Sequence, residues 1–296
     1  MKNNNINFEK LSSQTNRLAR YWYKYSRNPL SVLGLIAIFI IVFMAISAPY
    51  LSPYPESAGP YVNIVEANQP PSFVHFFGTD LLGRDIFTRT IFGLRLSLLM
   101  GIVVLSLSAP LGVFAGLVAG YFRGRWISVL IMRIVDVFLA VPVLILALAV
   151  CSILPPDVFN AMIAVSIAWW AVYARLIYGV ASSIKGEFYI QAAEVIGAST
   201  GHILFKEILI NCLSPIFTKM SVDMAFVILI GSSLSFVGLG AQPPTPDLGS
   251  MVADGARFLP NHWWMAIFPA CAIVIIVLAL SLMGDGLRDM LGSEEV

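Results

Sequence analysis

The sequence predicts an all-α polytopic membrane protein with six transmembrane helices and both termini in the cytoplasm. Three observations carry this. Hydrophobic residues make up 58% of the 296 and charged residues only 12%, about half the ~25% charged share of soluble domains. One globular core cannot hide that much apolar surface, so water is not the only solvent. Apolar runs near the ~20 residues that cross a bilayer recur six times, and basic residues gather on alternate connections. A soluble enzyme, a disordered chain and a nucleic-acid binder are excluded. The net charge of +1 gives no bulk attraction to phosphate or acidic partners.

A polar leader, residues 1–29, precedes the first span at 30–50, which starts after Pro29, a residue suited to a helix start. The leader is too long and the apolar run too extended for a cleaved signal peptide, so this span is an uncleaved anchor. Residues 51–96 form an external loop. Its first part, 52–77, lacks Lys and Arg and is rich in proline, which implies an extended path. From Gly78 onward apolar and charged residues alternate, with Thr79 or Asp80 as a cap. Two readings fit this stretch equally: an interfacial helix leading into span two, or a short soluble helix in an external cap.

The core, residues 97–290, holds five further spans at about 97–122, 126–154, 159–182, 216–239 and 263–284. Residues 291–296 are a cytoplasmic tail. Orientation follows from Lys and Arg positions. Lys2, Lys10, Arg17, Arg20, Lys24, Arg27, Arg123, Arg125, Lys185, Lys206 and Arg288 fall on one side. Only Arg84, Arg89, Arg95 and Arg257 fall on the other. The first side is therefore cytoplasmic.

Span two contains Gly112, Gly116 and Gly120, small residues at a spacing that lets helix backbones approach closely in lipid; its packing partner is open. Pro110 in the same span implies a kink. Ionisable residues inside spans are costly and normally pair or face a polar cavity. Arg133 and Asp136 stand at i and i+3 in span three, and Lys219 and Asp223 at i and i+4 in span five, so each pair reads either as an internal ion pair, since each charge has a local partner, or as part of a gate or wet pathway. Arg175 lies near the cytoplasmic boundary and can snorkel. Cys151, Cys212 and Cys271 are too few and scattered for a disulfide framework or zinc site and read as small core hydrophobes.

The connection 183–215 is the longest on the cytoplasmic side. Its pattern predicts two short amphipathic helices around a glycine hinge at Gly197 and Gly201. So apolar a loop should be docked, on its own membrane domain or on something else. There is no G-x-x-x-x-G-K-[ST] for nucleotide phosphates, no G-x-S-x-G elbow, and no histidine at metal-ligand spacing. The chain is therefore not itself an enzyme, binds no cofactor or metal, and relies on another chain for any ATP hydrolysis.

Within that loop, Gln191-Ala192-Ala193 followed by Gly197-Ala198-Ser199, Ile203, Phe205 and Ile208 resembles the E-A-A motif of ABC importer permeases. Five further stretches are similar to the dipeptide, oligopeptide and nickel branch of that family. They are Phe77-Gly78-Thr79-Asp80 with Gly83-Arg84-Asp85, Arg133 and Asp136 with Pro142, Phe236 with Gly238-Leu239-Gly240, Pro244 through Gly249, and Gly284 through Asp289. Their joint order resembles the second, C-type permease subunit. Two positions depart from the pattern: Gln191 stands where the motif has Glu, and Ile210 where Pro is usual. The amide keeps hydrogen bonding and loses the charge.

The resemblance implies an ABC importer permease fold and half of a translocation pathway for di- and oligopeptides. It implies a second related permease subunit, two cytoplasmic ABC ATPase subunits that bind ATP and Mg, and an external solute-binding protein. The ATPases would contact the 183–215 loop, and the complex would sit in the bacterial cytoplasmic (inner) membrane. Nickel or metal chelates, glutathione and other small solutes travel through similar subunits. A stand-alone secondary transporter is the alternative of a different class; it predicts ion-driven uptake by this chain alone and leaves the E-A-A-like loop without a role.

Overall fold

The computed structural model describes residues 21–291. Most of the leader and tail, with Lys2, Lys10, Arg17 and Arg20, lies outside the described residues. The elements are α1 (Pro29–Ile46), α2 (Ile86–Tyr121), α3 (Trp126–Ala140), α4 (Val143–Ile153) and α5 (Val158–Ile184). They continue as α6 (Phe188–Val195), α7 (Thr200–Phe236), α8 (Leu248–Ala256) and α9 (Trp264–Leu291). Among the described residues five of these are long and apolar enough to cross a membrane. The bent pair α3 and α4 makes a sixth crossing if it is one span.

Helix starts follow side-chain chemistry. Asn28 accepts a hydrogen bond from the Leu30 amide at 3.1 Å ahead of Pro29, and Asp85 accepts from the Thr88 amide at 2.7 Å. Each satisfies a backbone donor that the first turn leaves free. Asp85, not Thr79 or Asp80, therefore starts α2, and neither reading of the 78–96 stretch describes what forms. The amphipathic residues from Ile86 onward are the first turns of one 36-residue helix, about 54 Å long, that runs without a break through Pro110 into the span.

The third span is not one helix. Val141 is extended and the chain bends by 90° between α3 and α4. Pro142 explains this: its ring excludes the helical conformation at Val141 and it has no N–H to continue the ladder. The fifth span is longer than its apolar run. Its 37 residues begin at Thr200, include a π-helical turn at Ile203–Ile208 and pass through Pro215. The second short helix expected before it is thus the first part of α7, and Gly201 lies inside a helix instead of at a hinge.

The centre of the bundle is the α2–α5 contact, the most extensive between any two helices. A Cβ at residue 116 would stand 2.7 Å from the Ala174 carbonyl oxygen, and one at residue 120 would stand 2.6 Å from Ala181 Cβ. At Gly112 it would collide with the Trp170 backbone and Tyr173. The packing partner of the Gly112–Gly116–Gly120 face is therefore within this chain. Outside this pair, α1 lies against α9, and α7 packs on α9, α2 and α5. Cys151 and Cys212 are buried as small hydrophobes; Cys271 is exposed instead.

Two ends of the bundle differ. At one, residues 52–85 fold into an ordered cap, where an extended loop was expected over 52–77. Short 3-10 turns occupy Pro55–Ala58 and Ile64–Glu66. The Asn63 amide donates to the Leu82 carbonyl at 2.8 Å, and the Asn68 amide to that of Asp80 at 3.1 Å. The partly buried α8, a helix between Pro-rich turns that the sequence reading lacks, belongs to this end. The buried Asp247 carboxylate starts it by accepting from the Ser250 amide at 2.9 Å; burial pushes that carboxyl above the usual range, partly offset by its hydrogen bonds. The opposite end carries α6 and Gly197.

Candidate functional site

At the Gly197 end, α6 stops in a specific way. The Gly197 amide donates to the Glu194 carbonyl at 3.1 Å and the Ala198 amide to the Ala193 carbonyl at 3.0 Å. This is a Schellman pair of bonds, which requires a left-handed residue at the first position past the helix. Gly197 supplies it with φ +85°, a conformation that a side chain makes costly. Ser199 then caps α7 by accepting from the His202 amide at 3.3 Å. The stretch Gly197-Ala198-Ser199 is thus a compact reversal between two helices.

This reversal sorts the apolar residues onto two faces. Ile190, Ile203 and Ile208 are buried, packed with Ile177, Ala181 and Cys212 of the bundle. Ile203 and Ile208 of the expected coupling loop therefore face their own bundle. Phe205 is half exposed, and Phe188, Val195 and Ile196 are exposed at 87%, 86% and 83%. With the exposed Gln191 and Ala192 they form the outward face. Gln191 Nε2 donates to the Gly186 carbonyl at 3.0 Å, so the amide that replaces Glu holds the turn before α6. One face of this loop docks on its own domain, and the other is exposed.

Sequence reasoning missed how α6 is tied to the bundle. Tyr121 Oη donates to Glu194 Oε1 at 2.9 Å, Lys185 Nζ stands 3.5 Å from the same oxygen, and Lys185 lies 3.8 Å above the Tyr121 ring. Glu194 thereby links α6 to the last turn of α2 and the end of α5. Glu194 stands one turn before the Gly197 reversal, and its partners lie on α2 and at the end of α5, beyond the reach of local spacing.

The second group lies within the bundle. Asp223, thirteen residues or about 20 Å from the cap end of α7, is fully buried. Its carboxylate accepts from Lys219 Nζ at 2.7 Å and from Trp169 Nε1 of α5 at 3.0 Å. Lys219 keeps about a third of its side chain exposed. Tyr173, one turn from Trp169, is also fully buried and lies beside Asp223. The i,i+4 pair of the sequence reading therefore has a third member on another helix, Trp169, which periodicity within one helix cannot reveal.

The expected Arg133–Asp136 pair does not form. Asp136 pairs with Arg175 Nη2 across the α3–α5 contact. Both are about half exposed, Arg133 is exposed, and Arg133 makes no ion pair among the described residues. The reason is geometric: Val135 and Met132 turn one face of α3 into the core beside Ala171 and Ala174. Asp136, next to that face, meets α5, and its stronger partner comes from there. Among the described residues no three His, Cys, Asp or Glu side chains converge as metal ligands.

Known proteins with this arrangement were found by sequence and by structure. Residues 108–294 match the family described as binding-protein-dependent transport system inner membrane component. Residues 16–71 match the N-terminal TM domain of oligopeptide transport permease C. The dipeptide transport system permease protein DppC of Alkalihalophilus pseudofirmus is 41% identical over 265 residues, covering 90% of this chain and 86% of that one. The probable D,D-dipeptide transport system permease protein DdpC of Escherichia coli is 38% identical, over 89% and 87%. The oligopeptide transport system permease protein OppC of Bacillus subtilis is 38% identical, over 90% and 87%. A chain of the MetNI methionine ABC transporter in inward-facing conformations shares the fold, with a TM-score of 0.57 at 18% identity over 69% of this chain and 97% of that one. This multi-pass membrane chain belongs to the family of binding-protein-dependent transport system inner membrane components.

Proposed function

We propose that this chain is the C-type permease subunit of an ATP-driven importer of di- and oligopeptides in the bacterial cytoplasmic membrane. One observation carries the reading: a short helix, α6, presents Phe188, Val195 and Ile196 to solvent on a chain 41% identical to a dipeptide permease over nine-tenths of its length. Exposed apolar residues clustered beyond the spans need a partner surface. The basic asymmetry supports a cytoplasmic α6, where two ABC ATPases would receive it and the corresponding helix of a second permease subunit. The Ser52–Asp85 cap then faces outward, toward a solute-binding protein.

Transmission is a matter of stiffness. Closing ATPases would move α6. Glu194 would carry that motion to α2 and α5, and the Gly197–Ser199 reversal would carry it to α7, whose Lys219–Asp223–Trp169 contact joins it to α5. Each state is favoured by the contacts it makes, so ATP can bias an alternating-access equilibrium. Asp136 and Arg175 hold α3 to α5 in this reading, and neither they nor Arg133 bind substrate. This chain binds no cofactor; ATP and Mg belong to the ATPases.

Affinity purification of the tagged chain from its own membranes tests the proposal. Two ATPases and a second permease are expected to co-elute, and ATP hydrolysis is expected to rise when the binding protein and a dipeptide are added. Proton- or sodium-driven uptake by the isolated chain would contradict it.

A further inference from the structure

The cap end holds a cavity of about 340 Å³ between the Asp80–Arg84 turn, the start of α2, Pro243 and α8 with the turn after it. Ile86, Met251, Phe258 and Met265 make its walls apolar. Its polar lining is small and unevenly satisfied. Asp80 is held within its own turn: its Oδ1 accepts from the Leu82 and Arg84 amides at 2.9 Å each, and its Oδ2 accepts from Arg84 Nε at 2.7 Å. Arg89 is 95% buried at the same cavity. Its Nη1 donates to the Ser57 and Pro244 carbonyls at 3.1 and 3.3 Å. Nε stands 3.9 Å from Asp80, beyond hydrogen-bond range, and Nε and Nη2 make no hydrogen bond among the described residues. A guanidinium has five N–H donors, so three of them have no acceptor among the described residues, on a side chain that lines the cavity.

Asp254 and Arg257 line the rim of the cavity and are exposed. Although three residues apart, they form no ion pair among the described residues. The cavity thus offers a buried donor set for a carboxylate, an apolar body, and a free carboxylate at its mouth. A ligand that answers all three has an apolar middle with a carboxylate at one end and an ammonium at the other. A volume of this size is at the small end of small-molecule sites and suits two or three residues.

We propose that this cavity is a subsite for a short peptide, with the C-terminal carboxylate on Arg89 and the N-terminal ammonium at Asp254. The inference rests on the peptide-import reading and adds a point on the permease where the substrate itself is recognised. Planar guanidinium donors match carboxylate geometry, and the water-poor walls strengthen the contact.

Equilibrium dialysis of tritiated Ala-Phe against the complete importer in nanodiscs, without its binding protein, tests this. Saturable binding is expected, weakened tenfold or more when the peptide is C-terminally amidated. Because Arg89 also anchors Ser57 and Pro244, the variant is Asp254→Asn at the exposed rim. It is expected to weaken Ala-Phe severalfold and to leave binding of N-acetyl-Ala-Phe unchanged. Absence of saturable binding, equal binding of the amide, or indifference to Asp254→Asn overturns the subsite. So does a result in which Asp254→Asn weakens only docking of the binding protein. Uptake of Ala-Phe by the same complex with its binding protein separates the two levels. Uptake without binding at the cavity removes the subsite alone; no uptake of any peptide removes the functional reading with it.

Discussion

Asp223 shows what a single residue does in this bundle. It is fully buried and accepts from both Lys219 and Trp169. Removing it strands a cation and an indole N–H, and breaking a buried pair from one side costs on the order of 3 kcal/mol. Asp223→Ala should therefore lower the membrane abundance of the assembled complex severalfold. Lys219→Met with Asp223→Leu should recover much of that loss; immunoblotting of the purified complex is the measurement. A second residue-scale test separates two partners of one carboxylate. Asp136 pairs with Arg175 and not with Arg133, so a double-mutant cycle on thermal stability should give a coupling energy for Asp136 with Arg175 and none for Asp136 with Arg133. Spacing within a helix indicated that Asp136 would be paired. It could not rank a local arginine against one thirty-nine residues away, because that choice is made by how α3 lies on α5.

At the scale of elements, glycine spacing and proline position were legible and continuity was not. The Gly112–Gly116–Gly120 face was readable as a close-packing surface, and the structure supplies its partner, α5. Gly116→Leu must displace the Ala174 backbone. Overpacking of this kind costs about 1–3 kcal/mol or more, so the variant should reduce assembled complex, as judged by size-exclusion chromatography. The Gly197 turn was also legible, though as a hinge; it is a Schellman reversal. Gly197→Val places a β-branched residue at φ +85°, a strain of roughly 1–2 kcal/mol. It should leave the spans assembled and cut uptake at least tenfold. Wild-type uptake by this variant would show that the reversal does not transmit motion. Hydropathy started the fifth span too late because the first turns of α7 are interrupted by charged and polar residues, Lys206 and Glu207 among them. It joined α3 to α4 because a window average does not register the backbone restriction that Pro142 imposes on Val141.

For the whole molecule, composition alone settled the class, and the order of motifs pointed to the family. What composition could not reach is the cap. Gly78 and Gly83 hold positive φ angles, and the Trp264 indole donates to the Thr79 carbonyl at 3.3 Å across the chain. The motif from Phe77 to Asp85 thus reads as a fold element that seats α2 against α9. The outward-facing part of α6 was likewise hidden in the sequence, because Phe188, Val195 and Ile196 have the same character as the buried Ile190, Ile203 and Ile208. Only the packed bundle separates them. ATP-dependent accumulation of a labelled dipeptide in proteoliposomes holding the complete importer, with Val195→Asp and Ile196→Asp together compared against wild type, is the most direct measurement. The wild-type complex should accumulate the dipeptide, and the double variant should keep its spans assembled while losing ATPase binding and uptake together. Full ATPase binding and uptake by the double variant would contradict the role given to α6.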